Sequence, residues 1–170
     1  MKKKIRIFIL SIITFFSISA FSQVAKYQAI YLYNFSSYIE WPSSYRTGDF
    51  VIGVLGSNDP IVKELQIIAK TKKVLRQRIN IVSFNNVNEI TKCHILFVSA
   101  RQSAKIKEAK AKIGSNSTLL VSSTALGISQ GAVINFFIEG KKLSFEIKKA
   151  NVARGVKISY GLTKLAAKVH

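Results

Sequence analysis

Phe50-Val51-Ile52-Gly53-Val54-Leu55-Gly56-Ser57-Asn58-Asp59-Pro60-Ile61-Val62-Lys63-Glu64-Leu65, residues 50–65, is an apolar run, a polar turn and the opening of a helix. A short continuous apolar run beside glycine suits a strand buried on both faces. Asp59 suits a helix cap and Pro60 the first helical position. Ile61, Leu65 and Ile68 then form an inward stripe that runs to about Lys70. The unit repeats. The pattern predicts a strand over 78–84, a short helical connection from Val87 to Thr91 and a strand over 94–99. A helix over 102–113 carrying Ile106, Ala109 and Ile113, and a strand over 118–122, follow. Strands alternating with helices imply right-handed crossovers and a mostly parallel central sheet flanked by helices, an α/β domain.

The reading extends in both directions. Upstream, residues 26–41 lack Gly and Pro, and Leu32, Phe35 and Ile39 lie at helical spacing. A helix is expected there, stopping near Trp41 because Pro42 disfavours helical geometry before it. Downstream, residues 132–138 and 142–147 flank Glu139-Gly140-Lys141, an antiparallel β-hairpin signal. The last fourteen residues place Ile158, Leu162, Leu165, Ala166 and Val169 on one stripe and Lys157, Lys164 and Lys168 opposite. They predict a closing amphipathic helix.

Residues 1–22 read as an address. Lys2, Lys3, Lys4 and Arg6 make a basic segment, Ile7 to Ala20 an apolar one, and Ala20-Phe21-Ser22 a small-residue cleavage site. This is the pattern of a secretory signal peptide. The alternative is an uncleaved membrane anchor, since no charge interrupts Ile7 to Ala25. Cleavage leaves a single domain, residues 23–170, outside the cytoplasm. The whole chain of 170 residues is 48% hydrophobic and 11% aromatic, with a mean hydropathy of +0.22, which excludes a disordered chain. A single cysteine excludes an internal disulfide scaffold.

Charge bears on partners. Twenty-six Lys and Arg against 8 Asp and Glu give +18; losing Lys2, Lys3, Lys4 and Arg6 leaves 22 against 8, or +14. Nucleic acid is a poor partner for an exported chain. Anionic lipid, a polyanionic cell surface or an acidic protein fits better. Lys70, Lys72, Lys73, Arg76 and Arg78 are the densest basic run, in an expected loop.

No catalytic constellation is visible. There is no Gly-x-Ser-x-Gly elbow and no phosphate-binding glycine loop. Cys93, His94 and His170 are not spaced as metal ligands. Cys93 and His94, adjacent at a strand start, should point to opposite faces, giving a buried thiol and a half-exposed imidazole. No cofactor is implied. Two other features stand out. Ser57 and Asn58, Ser99 and Arg101, and Ser123 fall at the carboxyl ends of expected parallel strands, where open α/β sheets bind ligands and helix N-termini favour anions. The plainer reading makes them caps and turns. Tyr27, Tyr31, Tyr38 and Trp41 crowd one helix beyond what a single buried face needs, which suits a contact surface. The alternative is an oversized core helix.

Residues 26–35, KYQAIYLYNF, followed by Tyr38-Ile39-Glu40-Trp41-Pro42, resemble the opening of the YfiR-like family of exported proteins. So do Val54-Leu55-Gly56 with Asp59-Pro60, Cys93 to Ser99, Gly131 to Phe136, and Leu143 to Ile147 with Lys157-Ile158-Ser159 and Leu162 through Ala166. Nearly all of residues 23–170 are covered. The resemblance implies a periplasmic α/β domain that regulates and does not catalyse. The family's best-known member represses an inner-membrane diguanylate cyclase from the periplasmic side and lowers cyclic di-GMP. Two departures stand: Lys148 follows Phe-Glu-Ile where the family often has Asn, and Cys93 alone cannot form the disulfides of some relatives. The expectation is an exported non-enzymatic regulator that binds an inner-membrane signalling protein, with a homodimer and anionic cell-surface contacts as further candidates. One rival is a periplasmic small-anion receptor at Ser57, Asn58, Ser99, Arg101 and Ser123. The other is an enzyme of unrecognised type.

Overall fold

The computed structural model describes residues 23–170, so the expected signal peptide lies outside the described residues. The first described element is helix α1, residues 23–35. It is followed by β1 (Ile39–Glu40), β2 (Phe50–Leu55), α2 (Ile61–Thr71), β3 (Lys73–Val74), β4 (Gln77–Phe84) and β5 (Ile95–Val98). Then come α3 (Ile106–Ile113), β6 (Leu119–Ser122), β7 (Ile134–Glu139), β8 (Lys142–Ile147), β9 (Lys157–Ile158), α4 (Tyr160–Leu165) and β10 (Lys168–Val169). Eight strands form one sheet in the order β10-β8-β7-β6-β5-β2-β4-β3. The run from β4 through β2, β5 and β6 to β7 is parallel, and β7–β8 is the expected antiparallel hairpin.

The apolar runs are strands because both faces of the sheet are covered. Ile95 and Phe97 of β5 join the core under α1 and α2, while Leu96 and Val98 join the core under α3. Gly53 in β2 is required by packing: a Cβ there would lie 2.7 Å from the Phe84 ring and 3.2 Å from Leu96. From β2 the chain crosses to β4 over one face. From β5 it moves the other way, to β6, with α3 on the opposite face. The direction therefore reverses between β2 and β5, and crevices open beyond the strand ends at such a point.

Four expectations of secondary structure change. Helix α1 ends at Phe35, not near Trp41. Ser36 turns its hydroxyl onto the Tyr33 carbonyl at 2.6 Å, a local bond that competes with the helix ladder. Ile39 and Glu40 then pair with Ile158 and Lys157 of β9, and Ile39 still points inward, which is why its helical spacing misled. The closing helix is only Tyr160–Leu165, capped by Ser159 Oγ, with Leu162 its buried residue. Beyond it the open edge of β8 captures the chain. Ala167 N–H donates to Phe145 C=O at 2.9 Å and His170 N–H to Ile147 C=O at 2.8 Å. Leu165 and Val169 are therefore exposed. The basic run 70–78 is a tight hairpin, β3–β4, and not a loop. The helix expected over 102–113 opens as a 3-10 turn, Ala100–Lys105, and becomes α-helical at Ile106.

His94 is buried, not half-exposed. Val51 N–H donates to its Nδ1 at 3.1 Å, which leaves Nε2–H to donate to Tyr45 C=O at 2.7 Å. Its ring stacks on Phe50 at 4.2 Å, while Cys93 on the other face joins the core under α3.

Candidate functional site

The carboxyl ends of β2, β5, β6 and β7 open into a cleft of about 580 Å³. Its floor follows from the topology. Asp59-Pro60 leads into α2, Ser99-Ala100-Arg101 follows β5, and Ser123-Thr124-Ala125 follows β6. Three of the anticipated residues, Ser99, Arg101 and Ser123, line it together. Ser57 and Asn58 do not; with Ser99, Arg101 and Gln102 they line an adjoining recess of about 160 Å³. The sequence reading missed the apolar walls, which are Val24 and Ala25 of α1 and Phe136, Phe137, Ile138 and Leu143 of the hairpin.

One side of the cleft is held by a row of hydrogen bonds across three strands. Ser122 Oγ donates to Asn135 Oδ1 at 2.7 Å, and Thr124 N–H donates to the same oxygen at 3.0 Å. Asn135 Nδ2 donates to Glu146 Oε1 at 2.9 Å, and Glu146 Oε2 meets His170 Nε2 at 2.8 Å. Gly127 leaves the room this row needs, since a Cβ there would collide with Ser122 Oγ and Asn135 Oδ1. Asp59 Oδ1 accepts from Ile61 N–H at 3.1 Å and caps α2 as expected. The carboxylates of the cleft thus already have partners. Arg101 is exposed and forms no ion pair among the described residues. Ser99 Oγ and Thr124 Oγ1 are buried without a partner among the described residues, although buried polar atoms nearly always have one. The site can therefore present one guanidinium and two hydroxyls against an apolar wall.

The aromatic set divides. Trp41 is 6% exposed, edge-on to Phe50 at 5.1 Å and to His94 at 5.6 Å, so it belongs to the core and not to the expected surface. Tyr31 is half-buried against Phe136 and Phe145, both at 5.8 Å. Tyr38 is half-buried beside Gly161. Tyr27 is 48% exposed. Tyr27 and Tyr31 line a groove of about 580 Å³ with Ile138, Leu143 and the hairpin lysines Lys141 and Lys142. The groove shares Val24, Ile138 and Leu143 with the strand-end cleft, so the two are continuous.

Among the described residues, no three His, Cys, Asp or Glu side chains gather to hold a metal ion. Burial pushes the Cys93 thiol up to about 12, which makes it inert as a nucleophile. No described helix is long and apolar enough to cross a membrane.

Comparison with known proteins agrees with the fold. A domain solved in complex with L-Trp from Streptococcus pneumoniae superposes with a TM-score of 0.54 at 15% identity, over 71% of this chain and 55% of that one. A conserved domain protein from Vibrio cholerae gives 0.54 at 10% identity with the same coverage. The chain thus spans about half the length of each of these structures. No curated protein matches it. The family described as DUF4154, YfiR/HmsC-like, matches residues 25–167, which is nearly all that the structure describes, and the chain belongs to that family.

Proposed function

We propose that this protein is an exported, non-enzymatic regulator that binds the periplasmic part of an inner-membrane signalling protein and lowers the output of a diguanylate cyclase. The observation that carries the reading is the YfiR/HmsC-like match over residues 25–167, a family that is regulatory and periplasmic. The groove along Tyr27, Tyr31, Ile138 and Leu143 supports it, because exposed aromatic surface beside an apolar ridge is what a contact site presents. In this reading residues 1–22 are removed, and the mature chain starts at Gln23. Intact mass of the exported protein tests that start. Pull-down with the periplasmic domain of the membrane protein encoded beside it, and cyclic di-GMP levels after deletion, test the regulation. Unchanged cyclic di-GMP and no captured partner would refute it.

A second reading makes the strand-end cleft a receptor for a small anion. The free Arg101 beside the unpartnered hydroxyls of Ser99 and Thr124 favours it. The Streptococcus domain was solved with L-Trp, so amino acids are the first ligands to try. A ligand that raises the melting temperature of the wild type but not of Arg101→Ala supports this role. The absence of any shift across small carboxylates and phosphate removes it.

A further inference from the structure

From the end of α2 into β4 the chain reads Lys70-Thr71-Lys72-Lys73-Val74-Leu75-Arg76-Gln77-Arg78, five bases and no acid. Lys73 pairs with Arg78 and Val74 with Gln77, so Leu75 and Arg76 form the whole turn. Leu75 is 87% exposed. Its φ is +52°, a region that glycine or asparagine enters freely and a leucine rarely does. The fold therefore gains nothing from this leucine, neither buried surface nor an easy backbone. The hairpin base is anchored: Val74 is buried, and Gln77 Nε2 donates to the carbonyls of Tyr45 at 3.1 Å and Gly48 at 3.2 Å. On its flank lies a depression of about 410 Å³ lined by Lys70, Lys72, Lys73 and Arg78, with Asp49 3.5 Å from Arg78 as its one acid.

We propose that the β3–β4 hairpin docks the protein on a bilayer containing anionic phospholipid, with Leu75 entering between the headgroups and the flanking bases meeting their phosphates. An apolar tip and a basic collar on one anchored element supply the two signals that interfacial binding needs. Lysines alone would be explained by protection of an edge strand against pairing. An acidic protein would use the bases but not the isolated aliphatic tip. The proposal stands apart from the strand-end cleft and from the choice of signalling partner.

The test is co-sedimentation of the exported protein with phosphatidylcholine vesicles, with and without phosphatidylglycerol. Binding is expected only with phosphatidylglycerol and should weaken as salt rises. Leu75→Gly suits the turn's backbone and should keep or raise the melting temperature while lowering vesicle partitioning about tenfold or more. Leu75→Asn provides the same comparison with a polar side chain. Lys72→Glu with Lys73→Glu should abolish binding. No sedimentation with phosphatidylglycerol, or equal sedimentation without it, overturns the proposal. So does loss on charge reversal with no loss in either Leu75 variant, which would mean adsorption by charge alone with no entry of the tip.

Discussion

Acidification should destabilise the fold through His94. Its Nδ1 faces the Val51 N–H at 3.1 Å, so a proton added there would meet a donor instead of an acceptor. Burial holds the imidazole below its usual range, opposed in part by the bond to Tyr45 C=O and reinforced by the nearby Lys92 charge. The folded state therefore keeps His94 neutral, while the unfolded chain takes up a proton below about pH 6.5. More protons on the unfolded chain mean that stability rises with pH. The contribution is complete above that value and is lost as pH falls towards the folded-state pKa. The loss is at most about 1.4 kcal/mol at pH ~5.5 and about 2 kcal/mol at pH ~5, the limits set by an imidazole that takes up no proton in the folded state. Against a total of about 5–15 kcal/mol that is easily measured. Urea unfolding from about pH 7.5 to about pH 5 gives the slope, in a window where most carboxylates remain ionised. His94→Phe removes the titration, and His94→Asn keeps an acceptor for Val51; both should flatten the curve whatever their absolute stability. A flat wild-type curve, or an unchanged slope in both variants, would refute the reasoning.

Gly53→Ala should cost about 1–3 kcal/mol in thermal unfolding, because the new methyl meets the Phe84 ring at 2.7 Å in a packed sheet. Tyr27→Ala should leave stability within about 0.5 kcal/mol yet weaken partner capture by roughly 1–2 kcal/mol. Trp41→Ala should instead cost about 3–5 kcal/mol of fold stability. Asn135→Ala orphans Ser122 Oγ and the Thr124 N–H, and should lower stability by about 1–3 kcal/mol in urea titration. Cys93 should resist alkylation until the protein unfolds, read by mass after iodoacetamide with and without denaturant.

The parallel core was legible because its strands are covered on both faces, which writes a continuous apolar run into residues 95–98 and 119–122. Ser99, Arg101 and Ser123 were legible for a related reason: parallel strands all end on one side, so the residues that follow them must gather. The failures arose where tertiary partners overruled local pattern. Leu32, Phe35 and Ile39 keep helical spacing across a helix end because β9 takes up Ile39. Residues 166–170 look helical and are drawn out by the β8 edge, whose free carbonyls local spacing cannot show. The cleft's apolar wall was hidden similarly, since nothing in Phe136 or Leu143 states that the hairpin will stand beside β6 and face α1. Trp41 looked like one more exposed aromatic because its socket, Phe50 and His94, lies beyond the helix pattern, nine and 53 residues further on.

Helix α1 has a kinetic consequence. Its Phe35 stacks on Phe136 at 5.7 Å and meets Phe145 edge-on at 5.1 Å, rings that follow it by about a hundred residues. The first described helix therefore has an incomplete seat until the β7–β8 hairpin exists. Loop closure over such a span is slow, and contacts of this separation place folding nearer milliseconds to seconds than microseconds. A chain threaded through a membrane with its N-terminus leading could not complete this core until nearly all of it had crossed. For such a chain the long-range rings would delay completion of the core until late in the crossing.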